Sequence, residues 1–315
     1  MELVILDGHA LNPGDLSWDC FEQFGTVRYY DRTDSEQDAI ARIGSADIII
    51  LNKVPITRTV LESCPTVKLI CILATGYNVV DCKAAAERGI PVCNVPGYGT
   101  DSVAQFTFAL LLELCHQVGL HSESVHNGDW ANSPDFCYWK TPQMELAGKT
   151  IGIIGYGAIG QAVGKIAKAF GMNVLAYSRT KRSGFEYVTL DELLAGSDVI
   201  SLHCPLFPET KGMINAESIA KMKDGAILLN TARGALLDEA AVAVALRSGK
   251  LRGAAVDVAS AEPISRENPL LTAPNCIITP HIAWAPLEAR QRILDITVKS
   301  VQGFLYGKRI NVVNL

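Results

Sequence analysis

The sequence is short of the features that mark several large protein classes. None of its 9 cysteines stands in a C-x-x-C pair, and Cys71, Cys93, Cys115 and Cys276 lie in apolar surroundings. Reduced, buried thiols are therefore expected, without a disulfide framework or a zinc site. No apolar run approaches the roughly 18 residues of a membrane-spanning helix. The opening, MELVILDGHA, lacks the basic and long apolar regions of a secretory signal. Positive charge is not in excess: 28 Lys and Arg against 33 Asp and Glu give a net charge of −5. That balance disfavours nucleic acid or an anionic membrane surface as a partner. There is no repeat of fixed period and no low-complexity tract. The remaining expectation is a cytoplasmic globular protein, 49% hydrophobic and 19% charged, whose 315 residues suit two domains.

Short apolar runs alternate with amphipathic stretches along the chain. The first series is LVILDG (3–8), VRYYD (27–31), DIIILN (47–52), LICILAT (69–75) and VCNVP (92–96). These are short, rich in β-branched residues and not strictly alternating, as in parallel strands buried on both faces. A second series runs TIGIIG (150–155), NVLAYS (173–178), DVISLH (198–203), AILLNTAR (226–233), LRGAAVDV (251–258) and CIITPHI (276–282). One long helix over 101–126, capped by Thr100 or Asp101, separates the two series, and a last helix covers about 286–306. The pattern predicts an α/β protein of two doubly wound parallel-sheet domains. The segment 127–143, rich in Pro, Asn and aromatics, reads as a loop that lies on a partner subunit. His116, His121 and His126 recur every five residues, and steps of five rotate about 140° around a helix. They share no narrow face, and no metal site is expected. Asp81 and Glu87 read as ordinary helix-surface acids.

The stretch TIGIIGYGAIG contains G-x-G-x-x-G at Gly155, Gly157 and Gly160, after a strand and before a helix. A tight strand-to-helix turn alone favours glycine. In a dinucleotide site, each glycine also has its own task. The first permits the turn, the second lets a pyrophosphate approach, and the third lets helix and strand pack closely. The helix N-terminus then offers free N–H groups to the phosphates. The following strand arrives on schedule and ends in AYSRTKR, which carries Ser178, Arg179, Thr180, Lys181 and Arg182 but no carboxylate. An acid there holds the ribose hydroxyls of NAD, whereas hydroxyls and a guanidinium bind a 2′-phosphate. NADP(H) is therefore favoured, with NAD(H) the alternative if the basic residues form only a solvated loop.

Three residues at later strand ends complete a reactive set: Arg233 in NTARG, Glu262 in DVASAEP and His281 in TPHIAW. Arg offers a planar fork to a carboxylate. His exchanges a proton near neutral pH, and a Glu bonded to it fixes its tautomer and stabilises its charged form. Singly each has a bland explanation, as a solvated charge or a loop cap. Together they suit an anionic, carbonyl-bearing substrate.

At these residues the chain resembles the D-isomer-specific 2-hydroxyacid dehydrogenases. The likeness spans ATGYNVVD (74–81), GYGTDSVAQFTFALLLE (97–113), LAGKTIGIIGYGAIG (146–160), HCPL (203–206), NTARG (230–234), VDV (256–258) and PHIAW (280–284). LDGHALNPGDLSW (6–18) and WANSPDFCYW (130–139) are similar to the glycerate dehydrogenases, also called hydroxypyruvate reductases. The resemblance implies a flavodoxin-like substrate domain, residues 1–98 plus 286–315, with a Rossmann cofactor domain, 99–285, inserted in it. It implies reduction of a small 2-oxo acid, with Arg233 as substrate anchor, His281 as acid/base and Glu262 as its partner. Backbone amides near Thr75, Gly76 and Tyr77 would bind the substrate carboxylate. Cofactor contacts would come from Thr107, Gly155, Gly157, Ala158, Ile159, Gly160, Ser178, Arg179, Thr180, Cys204, Pro205, Thr231, Ala232, Arg233, Asp257 and His281. A homodimer is implied, with the long helix and the aromatic stretch as its arm. Two rivals are phosphoglycerate oxidation, with Lys53 and Arg58 as a phosphate pocket, and a non-catalytic dinucleotide-sensing corepressor. The family often carries an acid where this chain has Ser178.

Overall fold

The computed structural model describes residues 1–181 and 187–315; Arg182 of the basic loop lies outside them. Two compact units are present, Met1–Tyr98 with Ala285–Leu315, and Gly99–Trp284.

In the first unit, β1 (Glu2–Ile5), β2 (Thr26–Tyr29), β3 (Ile48–Leu51), β4 (Leu69–Ile72) and β5 (Val92–Cys93) form one sheet in the order β2-β1-β3-β4-β5. All four pairings are parallel. This is the flavodoxin-type order. The inner strands are buried apart from Glu2 at the start of β1, but β2 lies at the edge and is partly exposed, so the expectation of burial on both faces fails there. The helices α1 (Glu36–Ile43), α2 (Arg58–Ser63) and α3 (Cys82–Glu87) start at Ser35, Thr57 and Asp81, whose side chains accept first-turn amides. Asp81 is thus a cap rather than a plain surface acid.

The second unit opens with α4 (Thr100–His116) and α5 (Val118–His126). The single helix expected over 101–126 is therefore two, bent by 56° at Gln117, which sits in the left-handed region at φ 44°. The cap is Gly99, not Thr100 or Asp101, and no side chain caps the helix. Among the described residues, no single helix is long and apolar enough to cross a membrane. Residues 127–143 form no helix or strand. They are pinned by Tyr138 Oη to Ser124 Oγ at 2.6 Å and by the Lys140 N–H, which donates to His121 Nε2.

The chain then alternates through β6 (Thr150–Ile154), α6 (Ala158–Ala169), β7 (Asn173–Tyr177), α7 (Leu190–Gly196), β8 (Val199–Leu202), α8 (Ala216–Lys221), β9 (Ala226–Asn230), α9 (Glu239–Arg247), β10 (Leu251–Val256) and β11 (Cys276–Ile278). The sheet order is β11-β10-β9-β8-β6-β7, all parallel. From β6 the chain first goes outward to β7, then crosses back to β8 on the other side. That reversal is the switch point at which doubly wound sheets bind ligands, outside the carboxyl ends of the strands. Every residue of β8 and β9 is buried, which explains why both read as unbroken apolar runs. The last helix, α10 (Leu287–Leu305), returns to the first unit, where it packs on β4.

Candidate active site

The glycine loop lies at the switch point. Gly155 has φ 96°, and a Cβ there would meet the Cys204 backbone N at 2.5 Å, so only glycine admits both the turn and the β8 loop. A Cβ on Gly160 would meet the Gly155 carbonyl oxygen at 2.3 Å, which fixes how closely α6 approaches the strand end. Around Gly157 there is open space instead. α6 begins at Ala158 with no side-chain cap and no acid in its first turn, leaving its first amides and positive dipole end for a ligand. Tight packing at the first and third glycines with an open second one suits a pyrophosphate. A mere turn would not require the opening.

Arg233, Glu262 and His281 all lie just beyond strand ends of this unit. Asn230, fully buried at the end of β9, folds the arginine turn: Oδ1 accepts the Ala232 N–H at 3.0 Å and Nδ2 donates to the Arg233 carbonyl at 2.9 Å. The Arg233 side chain is exposed and forms no ion pair among the described residues, leaving its guanidinium for an anion. The next residue, Gly234, touches the loop after β10; a Cβ there would lie 1.9 Å from the Ala259 carbonyl carbon. In that loop, Glu262 Oε1 accepts the Ala259 N–H, and Oε2 meets His281 Nδ1 at 2.8 Å. With Nδ1 directed at the carboxylate, Nε2 is the free nitrogen of a ring that is 34% exposed.

His281 itself has φ 57°, uncommon for a side-chain-bearing residue. Asp257 holds the turn that enforces it. One carboxylate oxygen accepts the Thr279 hydroxyl and the Ile282 N–H; the other accepts the Ala283 N–H. Together these contacts place an imidazole, its carboxylate partner and an exposed guanidinium, which donates to the Ala232 carbonyl, beyond strand ends of the sheet that also carries the glycine loop.

The profile of the D-isomer-specific 2-hydroxyacid dehydrogenase family, NAD-binding domain, matches residues 108–283. The chain is 56% identical to a hydroxypyruvate reductase of Blautia hydrogenotrophica over the full length of both, and 44% identical to a glycerate dehydrogenase of Methylorubrum extorquens over 90% of each. The chain belongs to the D-isomer-specific 2-hydroxyacid dehydrogenases. An acyclic imino acid reductase solved with NADPH and D-Arg shares the fold at a TM-score of 0.86 and 31% identity, covering 99% of this chain and 100% of that one. A nicotinamide cofactor and oxidoreductase chemistry come with membership.

Seen within this family, the structure sorts the expected cofactor residues into two sets. Gly157, Ala158, Pro205, Arg179 and Thr180 are exposed, and Ile159, Ser178, Cys204, Thr231 and Ala232 are partly so. Thr107 and Asp257 are buried. Thr107 is fully buried, with its hydroxyl on the Val103 carbonyl and 3.2 Å from the Thr231 hydroxyl. Asp257 is 1% exposed and spends both oxygens on the His281 turn. Burial pushes the Cys204 thiol up to about 11 and holds the His203 imidazole down to about 3, so these two groups at the start of the loop after β8 are uncharged at neutral pH. Arg179 stacks over the Phe207 ring at 4.7 Å from its centroid. Phe207, Gly234 and the inward role of Asp257 escaped the sequence reading, since each depends on a partner far along the chain; Asn230 escaped it although its partners, Ala232 and Arg233, are local.

In the first unit, the Thr75 hydroxyl donates to the Val95 carbonyl and Asn94 Nδ2 to the Thr75 carbonyl. Among the described residues, the N–H groups of Thr75, Gly76 and Tyr77 have no protein acceptor. Of the two residues considered for a phosphate pocket, Lys53 and Arg58, Arg58 is paired with Glu87 at 2.8 Å. His116 bonds Gln143 and His121 bonds Gln117 and Lys140; no group of three metal-ligating residues occurs among the described residues.

Proposed function

We propose that the enzyme reduces hydroxypyruvate to D-glycerate, and glyoxylate to glycolate, preferring NADPH. The observation that carries the reading is the 2.8 Å bond between Glu262 and His281 Nδ1, which leaves Nε2 to serve the substrate. When bound, the reduced nicotinamide supplies a hydride to the substrate carbonyl carbon. Protonated His281 gives the Nε2 proton to the carbonyl oxygen, and Glu262 steadies the positive ring beforehand and its tautomer afterwards. Arg233 takes the carboxylate in a planar fork and polarises the adjacent carbonyl. In the first unit, the free amides of Thr75, Gly76 and Tyr77 are candidate donors for a carboxylate. The full-length likeness to a hydroxypyruvate reductase supports this substrate class. The engagement of Arg58 by Glu87 speaks against a phosphorylated substrate.

NADPH preference rests on Ser178, Arg179, Thr180 and Lys181 at the end of β7, where no carboxylate among the described residues repels a 2′-phosphate. A charge-assisted hydrogen bond contributes roughly 1.5–3 kcal/mol, less when exposed. Since 1.4 kcal/mol is about tenfold, NADPH should exceed NADH by roughly tenfold in kcat/KM. Steady-state kinetics on hydroxypyruvate, glyoxylate, pyruvate and phosphohydroxypyruvate with both cofactors test the whole reading. Hydroxypyruvate with NADPH is expected to rank first, and Ser178→Asp with Arg179→Gln to reverse the cofactor order through KM. A leading phosphohydroxypyruvate would overturn the substrate, and NADH equal to NADPH would overturn the cofactor choice.

The reading extends to a cytoplasmic homodimer. Trp130, Phe136 and Trp139 are 52%, 88% and 69% exposed on the segment after α5, an apolar group that a two-fold partner would cover. Sedimentation is expected to show a dimer at micromolar concentration; a monomer alone would remove this part.

A further inference from the structure

The loop that carries Glu262 is tied down at two points, and both ties end on one carboxylate. Glu239, the first residue of α9, accepts the Ser260 N–H at 2.8 Å through Oε1. Through Oε2 it accepts the Ser260 hydroxyl at 2.6 Å and Asn268 Nδ2 at 3.0 Å. Ser260 precedes Glu262 by two residues, and Asn268 follows it by six. Asn268 is buried, and its own Oδ1 accepts the Leu270 N–H, which fixes the direction of its amide. Glu239 sits in the first turn of its helix, where the dipole favours a negative charge. None of the steps above uses it.

We propose that Glu239 is a positioning residue for the proton transfer: it holds both ends of the 260–268 loop so that Glu262 meets His281 Nδ1. The inference rests on His281 and Glu262 being the proton-transfer pair. Hydrogen bonds to an ionised acceptor are the shorter and stronger class, and here three of them converge on one side chain. A glutamine at 239 has one acceptor oxygen and one donor group: with the oxygen toward the Ser260 hydroxyl and Asn268, its amide would face the Ser260 N–H donor to donor, so the three bonds cannot all be kept. Asp, one methylene shorter, would not span both. The loop would keep its chain path through the Ala259–Gly234 contact but lose its setting at Glu262. Slight misplacement of a catalytic group is costly to the chemical step and of little consequence for cofactor binding.

The test compares Glu239→Gln, Glu239→Ala and the milder Ser260→Ala, each in the wild-type and His281→Ala backgrounds. For reduction, kcat is expected to fall roughly tenfold in Glu239→Gln, roughly a hundredfold in Glu239→Ala and about threefold in Ser260→Ala. NADPH affinity, read from the fluorescence of the bound cofactor, should stay within about twofold. In the His281→Ala background the loss from Glu239→Gln should shrink below about twofold, because there is no imidazole left to set. An equal tenfold loss in both backgrounds would mean Glu239 serves the fold alone, and would overturn the proposal. So would unchanged kcat in folded Glu239→Gln enzyme while His281→Ala is crippled. Full turnover by His281→Ala would instead overturn the underlying assignment of the pair. If Glu239→Ala does not fold, Glu239→Gln and Ser260→Ala decide the matter by the same comparison.

Discussion

Loss of the His281 imidazole is expected to lower kcat for 2-oxo acid reduction by roughly 10²–10⁴-fold, the usual worth of a positioned proton donor. The choice of replacement matters, because residue 281 has φ 57°. Alanine there carries backbone strain of about 1–2 kcal/mol, whereas asparagine enters the left-handed region more readily. His281→Asn is therefore the cleaner variant, with His281→Ala as its companion. Both keep Asp257 and its three acceptor contacts to the turn, so the fold around the site should persist. Cofactor affinity should persist as well, since the glycine loop is untouched. Stopped-flow hydride transfer and steady-state kcat would read the effect. Near-normal turnover in a folded His281→Asn enzyme would remove the residue from the mechanism.

Gly234→Ala should damage both activity and stability, although it alters no charged or polar side chain. The added methyl would lie 1.9 Å from the Ala259 carbonyl carbon and 2.0 Å from its oxygen. Backbone cannot swing aside as a flexible side chain can, so the Arg233 turn and the Glu262 loop must part. A displacement of about 1 Å in catalytic groups can cost roughly a hundredfold in rate, and overpacking costs about 1–3 kcal/mol. Together these predict a fall in kcat/KM of about a hundredfold or more and a lowered Tm. Calorimetry and kinetics on the same preparation would check both; unaltered kcat/KM would show that the two loops need no fixed register.

The amino-acid sequence carried the strand runs and the glycine loop openly, because burial on both faces and a pyrophosphate site each impose a local pattern. Arg233, Glu262 and His281 were legible for a related reason: each follows a strand end, where doubly wound sheets place their chemistry. Their supports were not. Asp257 finds its donor partners 22 to 26 residues away, and Glu239 meets Asn268 across 29. Nothing local in either residue distinguishes such an anchor from a solvated acid. Thr107 and Asp257 were placed at the cofactor by family likeness, yet their polar atoms turn inward. The bend at Gln117 had no signature either, since glutamine has no special liking for a left-handed backbone. Gly119, two residues on, was the only nearby hint of irregularity.

The path of the chain through the two units has a consequence for biosynthesis. Strand β5 is closed by the far end of the sequence: Asn314 Oδ1 accepts the Val92 N–H, the Val313 N–H donates to the Val92 carbonyl, and Asn94 N–H donates to the Asn311 carbonyl. Helix α10, which packs on β4, belongs to the same late segment. On the ribosome, residues 1–98 emerge first and wait while all of 99–284 is translated. Their sheet has an open edge at β5 throughout that interval, the kind of edge that recruits foreign strands. The contiguous second unit faces no such delay and can form as soon as it leaves the tunnel. The unit made first is thus the one finished last.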